Sequence, residues 1–580
     1  MDDLTQRIRV ASGRGKADLL LRNGRVIDVF SCQIERKDVA IWQGLIVGFG
    51  DYSAREVIDL EGAFLSPGLI DGHVHVESSL VTLPHFARSV VVRGTTTVVI
   101  DPHEIANVLG RDGIRLMAES AAGLPLNVFL MIPSCVPATG LETSGASLGA
   151  RDLKTLLKEP WALGLAEMMN FPGVIDADPK VLKKIEAAKG KRIDGHAPLL
   201  SGKGLYAYIS AGIRSDHECT TLKEAREKLA SGMWIMIREG TTARNLKDLL
   251  PLVTPENSRR FLFVTDDRHP RELIEEGHID FLVRKAIEAG LSPLSAIQMA
   301  TLNAAEYFKL EGLGAIAPGY RADLVTFDHL SSLQVDKVFK DGVLVAKEGR
   351  LLHEPCEGWT NNPLGAKGYS KARRTIRIGE LSKKNLILRS SVPFAKVIQV
   401  IPGQILTQKA LKQVVLKEGI ALPHVKEDIL KIVVIERHKG TGNVGIGFVQ
   451  GFGLKRGAIG SSVAHDSHNL VVVGTSDEEI WVAIKAIERM GGGLVVVSEE
   501  EIRSAVELPV AGLMAELSVS EMDERLSRLN RAAKELGSRL DDPFMVLSFL
   551  SLPVIPELKI TDKGLVDVNR FKIVSVFGED

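Results

Sequence analysis

Hydrophobic and polar residues alternate in three different patterns along the 580-residue chain. From about Ala17 to Leu65, short apolar runs alternate with turn signals such as Asn23-Gly24, a pattern typical of all-β structure. From Pro67 to about Leu310, apolar strand-like runs are followed by turns and amphipathic helical segments, for example Leu222 to Ser231. This second pattern predicts repeated strand–helix units.

Strand-like runs return after the helical units, at Gly319 to Phe327, and are followed by another turn signal at Asp341-Gly342. Two β segments on either side of a strand–helix region suggest one small sandwich built from both. The third block begins at about Ile378, where apolar runs such as Ile432 to Ile435 alternate with helical segments such as Glu478 to Met490. It predicts a separate C-terminal α/β domain.

Composition narrows the possible functions. Hydrophobic residues make up 45% of the chain and charged residues 25%, which is ordinary for a globular protein of about three domains. The 72 basic and 73 acidic residues give a net charge of -1, so we expect a small-molecule substrate and neither nucleic acid nor membrane as a partner. Four widely spaced cysteines suggest no disulfide framework. The N-terminus lacks an apolar targeting segment and no apolar run is of spanning length, so we predict a cytoplasmic enzyme.

Candidate chemistry begins with His73 and His75, which lie one residue apart in an apolar run. Because side chains on a strand repeat every second residue, both rings point to the same side and can bind one metal ion. Two such histidines are equally consistent with hydrogen bonding in a strand. The rest of the chain favours the metal.

Four more potential ligands each lie at the downstream end of a short apolar segment: Glu167, His196, His217 and Asp266. Ligands at the carboxyl ends of successive strands are typical of a (β/α)8 barrel, whose active sites lie on that face. The six residues can hold two divalent ions if Glu167 bridges them. The alternative, a solvated Glu167, is disfavoured by its apolar flanks.

The predicted fold is therefore α/β, with a (β/α)8 barrel of the TIM type, a small β-sandwich from segments on both sides of it, and a C-terminal α/β domain. The predicted boundaries are residues 1–66 and 311–365 for the sandwich, 67–310 for the barrel and 378–580 for the C-terminal domain.

The ligand order resembles that of the amidohydrolase superfamily, and several segments resemble its adenine deaminases in particular. Those segments are Gly72–Ser79, Asp101–Asn107, Ala166–Gly173, Asp194–Pro198, Ser215–Thr221, Thr265–Pro270 and the C-terminal block from Gly442–Phe448 to Ala464–Asn469. The resemblance extends over nearly the whole chain. It implies hydrolysis of adenine to hypoxanthine and ammonia, as in purine salvage, and we expect a homo-oligomer.

The resemblance also implies two divalent metal ions per chain, which we expect to be manganese or iron, although the ligand types suit zinc as well. Many superfamily members carry a carbamylated lysine where this chain has Glu167. A carboxylate bridges metals without that modification. Carbon dioxide should therefore not be needed for assembly.

Proton transfer needs residues that the superfamily pattern does not fully supply. Other deaminases of the superfamily carry a glutamate a few residues beyond the fifth-strand histidine, but His196 is followed by Ala-Pro-Leu-Leu. We expect Asp266 to bind metal and to move a proton, with Glu218 or the pair His103-Glu104 protonating the purine ring. In the alternative interpretations Glu218 caps a helix and His103-Glu104 is a structural loop.

Several features of the sequence allow more than one interpretation. His465 and His468 are consistent with a second metal site, a flap over the barrel mouth or ordinary turn residues. The glycine-rich run after Gly440 favours structural loops over a phosphate cradle, and Arg268 and His269 are interpreted as positioning or salt-bridge residues. The competing functions are a cyclic-amide hydrolase and an N-acetylglucosamine-6-phosphate deacetylase. A non-catalytic binding protein is disfavoured because all six ligand candidates are present.

Overall fold

The computed structural model describes residues 2–352, 369–402 and 404–578. It consists of a parallel barrel, a sheet built from segments before and after that barrel, and a β-rich C-terminal part with helices. The predicted fold class is confirmed. The end of the second predicted sandwich segment, residues 353–365, lies outside the described residues.

Eight short parallel strands form the barrel, and they pair in chain order. Their bounds are Leu69–His75, Thr95–Ile100, Asn127–Ile132, Ala162–Met168, Arg192–Gly195, Ser215–Asp216, Trp234–Arg238, and Phe261–Val264 with its continuation Asp266–Asp267. The Arg214 N–H donates to the Ile193 carbonyl at 3.1 Å, and Asp266 pairs with Val74, which closes the ring. The strands are buried and apolar because helices cover their outer side.

The helices around the barrel are short and amphipathic. Their bounds are Leu83–Val91, His103–Leu109, Arg111–Ser120, Ala150–Leu156, Phe171–Ile175, Pro179–Ala187, Gly202–Ser210, Leu222–Ala230, Leu246–Leu249, Pro270–Glu275, Ile279–Glu288, Pro293–Met299 and Leu302–Phe308. In Leu222–Ala230 the Thr221 side chain caps the first turn by accepting from the Glu224 N–H. That helix also buries Lys228, which pairs with Asp216 and Glu224.

The two flanking β segments form one nine-stranded sheet. Its strands are Ala17–Asp28, Gln33–Trp42, Leu45–Phe49, Ala54–Asp59, Phe64–Pro67, Leu324–Phe327, Val335–Lys340, Val343–Lys347 and Arg350–Leu351, preceded by the helix Asp2–Ala11. Phe64–Pro67 pairs antiparallel with Leu324–Phe327, so the segments before and after the barrel are joined directly. The sheet curves around a core that includes Leu21, Ile41 and Phe339.

The C-terminal part is organised around an eight-stranded sheet whose strands pair mostly antiparallel. Its strands are Phe394–Val400, Thr407–Gln413, Ile429–Ile435, Val444–Gln450, Ala458–Ser461, Leu470–Gly474, Gly493–Ser498 and Glu501–Glu507. Smaller sheets pair Val415–Lys417 with Ile420–Leu422, and Leu558–Thr561, Gly564–Asp567 and Lys572–Val574 with one another. The helices are Asp477–Met490, Val519–Glu535 and Pro543–Phe549.

The C-terminal part packs on the barrel through a continuous hydrophobic core. Backbone bonds link the two, with the Ala515 N–H donating to the Leu80 carbonyl at 2.9 Å. The Thr561 hydroxyl donates to the Leu141 carbonyl at 2.7 Å. Through this packing the loop Ala464–Asn469 reaches the carboxyl ends of the barrel strands. Within the described ranges, no helix is both long and apolar enough to cross a membrane.

Candidate metal centre

The six predicted ligands lie together at the carboxyl ends of the barrel strands. His73 and His75 end the first strand, and their Nε2 atoms lie 3.1 Å apart. Asp266 follows the eighth strand, and its Oδ1 lies 3.4 Å from His73 Nε2 and 3.1 Å from His75 Nε2. Three ligand atoms therefore face one point at the seam where the barrel closes.

Glu167, near the end of the fourth strand, separates this trio from a second pair of ligands. Its Oε1 lies 3.7 Å from His73 Nε2 and 3.5 Å from His75 Nε2. Its Oε2 lies 2.7 Å from His196 Nδ1 and 3.3 Å from His217 Nε2. Each carboxylate oxygen thus faces a different set of histidines, which is the arrangement that a bridging carboxylate requires.

These residues fit divalent metal ions. Glu167 Oε1 is buried and forms no hydrogen bond in the described structure, and a buried polar atom without a partner is costly. Imidazole and carboxylate ligands suit zinc, iron or manganese. The candidate ligands form two sets, His73, His75 and Asp266 on one side of Glu167 and His196 and His217 on the other.

The charges of the site follow from its contacts. Burial favours the neutral form of Glu167, but the adjoining His103, His196 and His217 outweigh it and hold the pKa of Glu167 well below its usual range. Burial likewise opposes ionisation of Asp266, whose pKa is nevertheless held low by Arg238 and by His73. Both carboxylates are therefore ionised at neutral pH, as metal ligands must be.

Arg238, at the end of the seventh strand, was not predicted from the sequence. Its guanidinium forms a fork with Glu218, with Nη2 donating to Oε2 at 3.0 Å, and it also donates to Asp266 Oδ2 at 2.7 Å. Burial raises the pKa of Glu218, but Arg238 and then His196 lower it far more, so Glu218 is ionised. The sequence signal that could have identified Arg238 is that it ends an apolar run, as the predicted ligands do.

The predicted pair His103-Glu104 lies beside the metal centre, at the start of the helix that follows the second strand. His103 Nδ1 lies 3.1 Å from Asp101 Oδ2 and 3.3 Å from Glu167 Oε1. His103 Nε2 lies 3.5 Å from Glu104 Oε1. The pair is therefore within reach of the predicted ligands.

His465 and His468 lie in the loop Ala464–Asn469, which contacts Glu104 at the barrel mouth. Both rings bond to the Glu104 carboxylate, His465 through Nδ1 and His468 through Nε2. Asp466 Oδ1 lies 3.8 Å from His103 Nε2. These contacts place the loop against Glu104, next to His103.

The other residues singled out in the sequence, Arg268, His269 and the glycine-rich run, make structural contacts. Arg268 donates to Glu276 Oε2 at 2.7 Å, and His269 Nδ1 lies 3.5 Å from Asp542 Oδ2, so both form ion pairs. The glycine-rich run contains Gly445, where an added Cβ would lie 1.9 Å from the Thr561 carbonyl oxygen. That glycine allows two backbones to approach closely. Gly445 lies within the strand Val444–Gln450, so this part of the run is a strand and not the predicted loop, and its glycine serves backbone packing.

Comparison with known proteins identifies the family. Residues 64–345 match the family model "Amidohydrolase family", and residues 404–572 match "Adenine deaminase C-terminal domain". Among solved structures, the β-aspartyl dipeptidase of Fervidobacterium islandicum AW-1 is 18% identical, with a TM-score of 0.43 over 59% of this chain and 99% of that chain.

The curated relatives match along their full length. An adenine deaminase of Dehalococcoides mccartyi strain 195 is 50% identical over 99% of this chain and 99% of its own. Adenine deaminase 2 of Carboxydothermus hydrogenoformans is 49% identical over 99% of this chain and 100% of its own. The chain therefore belongs to the adenine deaminase family of the amidohydrolases.

Proposed function

We propose that this chain hydrolyses adenine at C6, giving hypoxanthine and ammonia. The observation that carries the proposal is the convergence of His73, His75, His196, His217 and Asp266 around the Glu167 carboxylate. The full-length identity of 50% to a curated adenine deaminase supports the substrate. A cyclic-amide hydrolase and a sugar deacetylase use the same kind of metal chemistry, but the match to the adenine deaminase C-terminal domain favours the deaminase.

Divalent ions bound between these ligands would lower the pKa of water and supply hydroxide at neutral pH for attack at C6. We propose that there are two ions per chain, manganese or iron. Glu167 is assigned the bridging position because its two oxygens face different histidines. Asp266 completes the ligand set on the side of His73 and His75.

Asp266 and Glu218 are assigned the proton transfers. Both are ionised, so each can accept a proton from the attacking water, and the shared Arg238 guanidinium holds both carboxylates in place. An ionised Glu218 has no proton of its own to give, so it must first accept one and then deliver it to the purine ring. Asp266 is placed to return a proton to the departing ammonia. His103 and Glu104 are the alternative donors to the ring.

The test is a substrate panel with metal-loaded protein. Adenine, adenosine, cytosine, guanine and N-acetylglucosamine 6-phosphate are incubated separately, and ammonia and acetate are measured. Ammonia release is expected from free adenine, with adenosine used poorly. Robust turnover of adenosine with none on adenine would contradict the proposal, and acetate release would establish the deacetylase instead.

A further inference from the structure

The loop Ala464–Asn469 supplies two side chains to the barrel mouth, and the roles assigned above use neither. His465 and His468 bond to Glu104, one ring to each carboxylate oxygen. All three side chains are buried. A carboxylate bonded at both oxygens has its plane and its position fixed.

The loop presents His468 in one defined form. The Ala464 N–H donates to His468 Nδ1 at 3.2 Å, so the proton of the neutral ring lies on Nε2, which faces Glu104. Burial lowers the pKa of His468 to about 4, so the ring is neutral. The residue has a φ of 53°, a backbone conformation that persists only when its surroundings enforce it.

Other contacts hold the loop against both parts of the chain. The His465 N–H donates to the Ser548 carbonyl at 3.0 Å, and its ring stacks on Phe549 with centroids 4.6 Å apart. The Asn469 amide donates to the Thr143 carbonyl, in a barrel loop, at 2.9 Å. The two histidines therefore approach Glu104 from a fixed support.

Glu104 in turn contacts the metal centre through His103. His103 Nε2 lies 3.5 Å from Glu104 Oε1, and His103 Nδ1 lies 3.3 Å from Glu167 Oε1. A continuous run of contacts thus leads from the C-terminal loop to the carboxylate assigned the bridging position. If Glu104 moved, His103 would lose its contact at Nε2, the ring nitrogen that does not face Glu167.

We propose that His465 and His468 are positioning residues for the deamination. By fixing Glu104 they hold His103 against Glu167, so turnover depends on the C-terminal loop being seated on the barrel. The inference rests on the proposed function, and it gives the C-terminal domain a part in the active site. The effect of either histidine is exerted through Glu104.

A double-mutant cycle tests this coupling in the metal-loaded, full-length protein. His468→Ala is expected to lower kcat by about 10- to 100-fold, as is typical for groups that orient metal-site residues, with little change in KM or metal content. His468→Gln, whose amide nitrogen is placed like Nε2, should restore most of kcat. In a Glu104→Gln background, His468→Ala should have little further effect. The effects of His468→Ala and Glu104→Gln on the free energy of unfolding should be non-additive too, and this quantity is measured independently of activity.

The matched control is Thr561→Val, which removes another buried bond between the C-terminal part and the barrel, to Leu141, without touching Glu104. It should leave kcat near the wild-type value. An equal loss in this control, or additive effects of His468→Ala and Glu104→Gln, would overturn the positioning role. Wild-type protein that releases no ammonia from adenine would instead overturn the proposed function, and the role in turnover with it.

Discussion

Replacing Glu218 by glutamine separates a proton carrier from a metal ligand. The structure permits both roles, because His196, His217 and Glu218 place potential ligand atoms within 4.8 Å of one another. Glu218 Oε1 lies 3.4 Å from His217 Nε2 and 3.6 Å from His196 Nδ1. Its pairing with the Arg238 guanidinium argues against a ligand role, since a carboxylate already neutralised by a cation is a poorer ligand.

The expected size of the effect follows from these contacts. A lost general acid or base costs about 10²- to 10⁴-fold in turnover, or about 3–5 kcal/mol of barrier. Removing one member of a buried ion pair costs about 3–5 kcal/mol of stability when the other charge is left alone. Arg238 still donates to Asp266 Oδ2 at 2.7 Å, so the loss of stability in Glu218→Gln should be smaller. The variant should fold and should retain its metal.

The assay combines metal analysis by mass spectrometry with steady-state kinetics on adenine. Wild-type metal content with turnover lowered by two to four orders of magnitude would support Glu218 as the proton carrier. Loss of one metal equivalent would make Glu218 a ligand. Near-normal turnover would refute the assignment and transfer the ring-proton role to His103 or Glu104.

Three further changes test other contacts. Glu167→Gln keeps the shape of the side chain but weakens a carboxylate bridge, so metal content should fall and activity should drop by orders of magnitude. Two metals per chain and full activity in this variant would contradict the bridging role. Arg238→Met removes the cation that lowers the pKa of Glu218 and Asp266. As pH falls, activity that needs both carboxylates ionised should therefore be lost at a higher pH than in the wild-type protein. A kcat/KM profile whose acidic side stays at the wild-type pH would disprove this. In His269→Asn the pair with Asp542 is lost. Burial opposes a charged His269, but Asp542 outweighs it and raises the pKa of His269, so the stabilisation is present below about pH 6.5 and fades as pH rises through the higher folded value. Melting temperatures of the two proteins should converge at alkaline pH, and a constant difference would speak against the ion pair.

The barrel and the placement of its six candidate ligands were predictable because the information is local. Each ligand ends a short apolar run, and parallel strands bring their carboxyl ends to one face whatever the exact strand bounds. His73 and His75 needed only the two-residue repeat of a strand.

Arg238 and the loop at the barrel mouth needed information that is not local. An arginine ending an apolar run is also consistent with a side chain that reaches out to solvent. Only the closed barrel brings Arg238 between Glu218 and Asp266. His465 lies 361 residues from Glu104 in the chain, and its contact follows from how two parts of the protein pack. Periodicity within the C-terminal part does not encode that packing.

Four of the acidic residues at the barrel mouth, Glu104, Glu167, Glu218 and Asp266, differ in their protein partners. Glu104 is held by His465 and His468, and Glu218 by Arg238, so each already has protein donors on both oxygens. Glu167 contacts histidines alone and keeps one buried oxygen without a hydrogen bond. Such a group needs a cation from outside the protein.

In Asp266, one carboxylate oxygen has a protein donor and the other faces histidine nitrogens. Its Oδ2 accepts from Arg238 at 2.7 Å, whereas its Oδ1 faces the Nε2 atoms of His73 and His75. One oxygen is thus fixed and neutralised by the protein, and the other is directed at the proposed metal position. The protein thus fixes one oxygen of Asp266 and leaves the other to face the histidines. We propose on this basis that the dual role falls to Asp266 and not to Glu167, whose oxygens both face histidines.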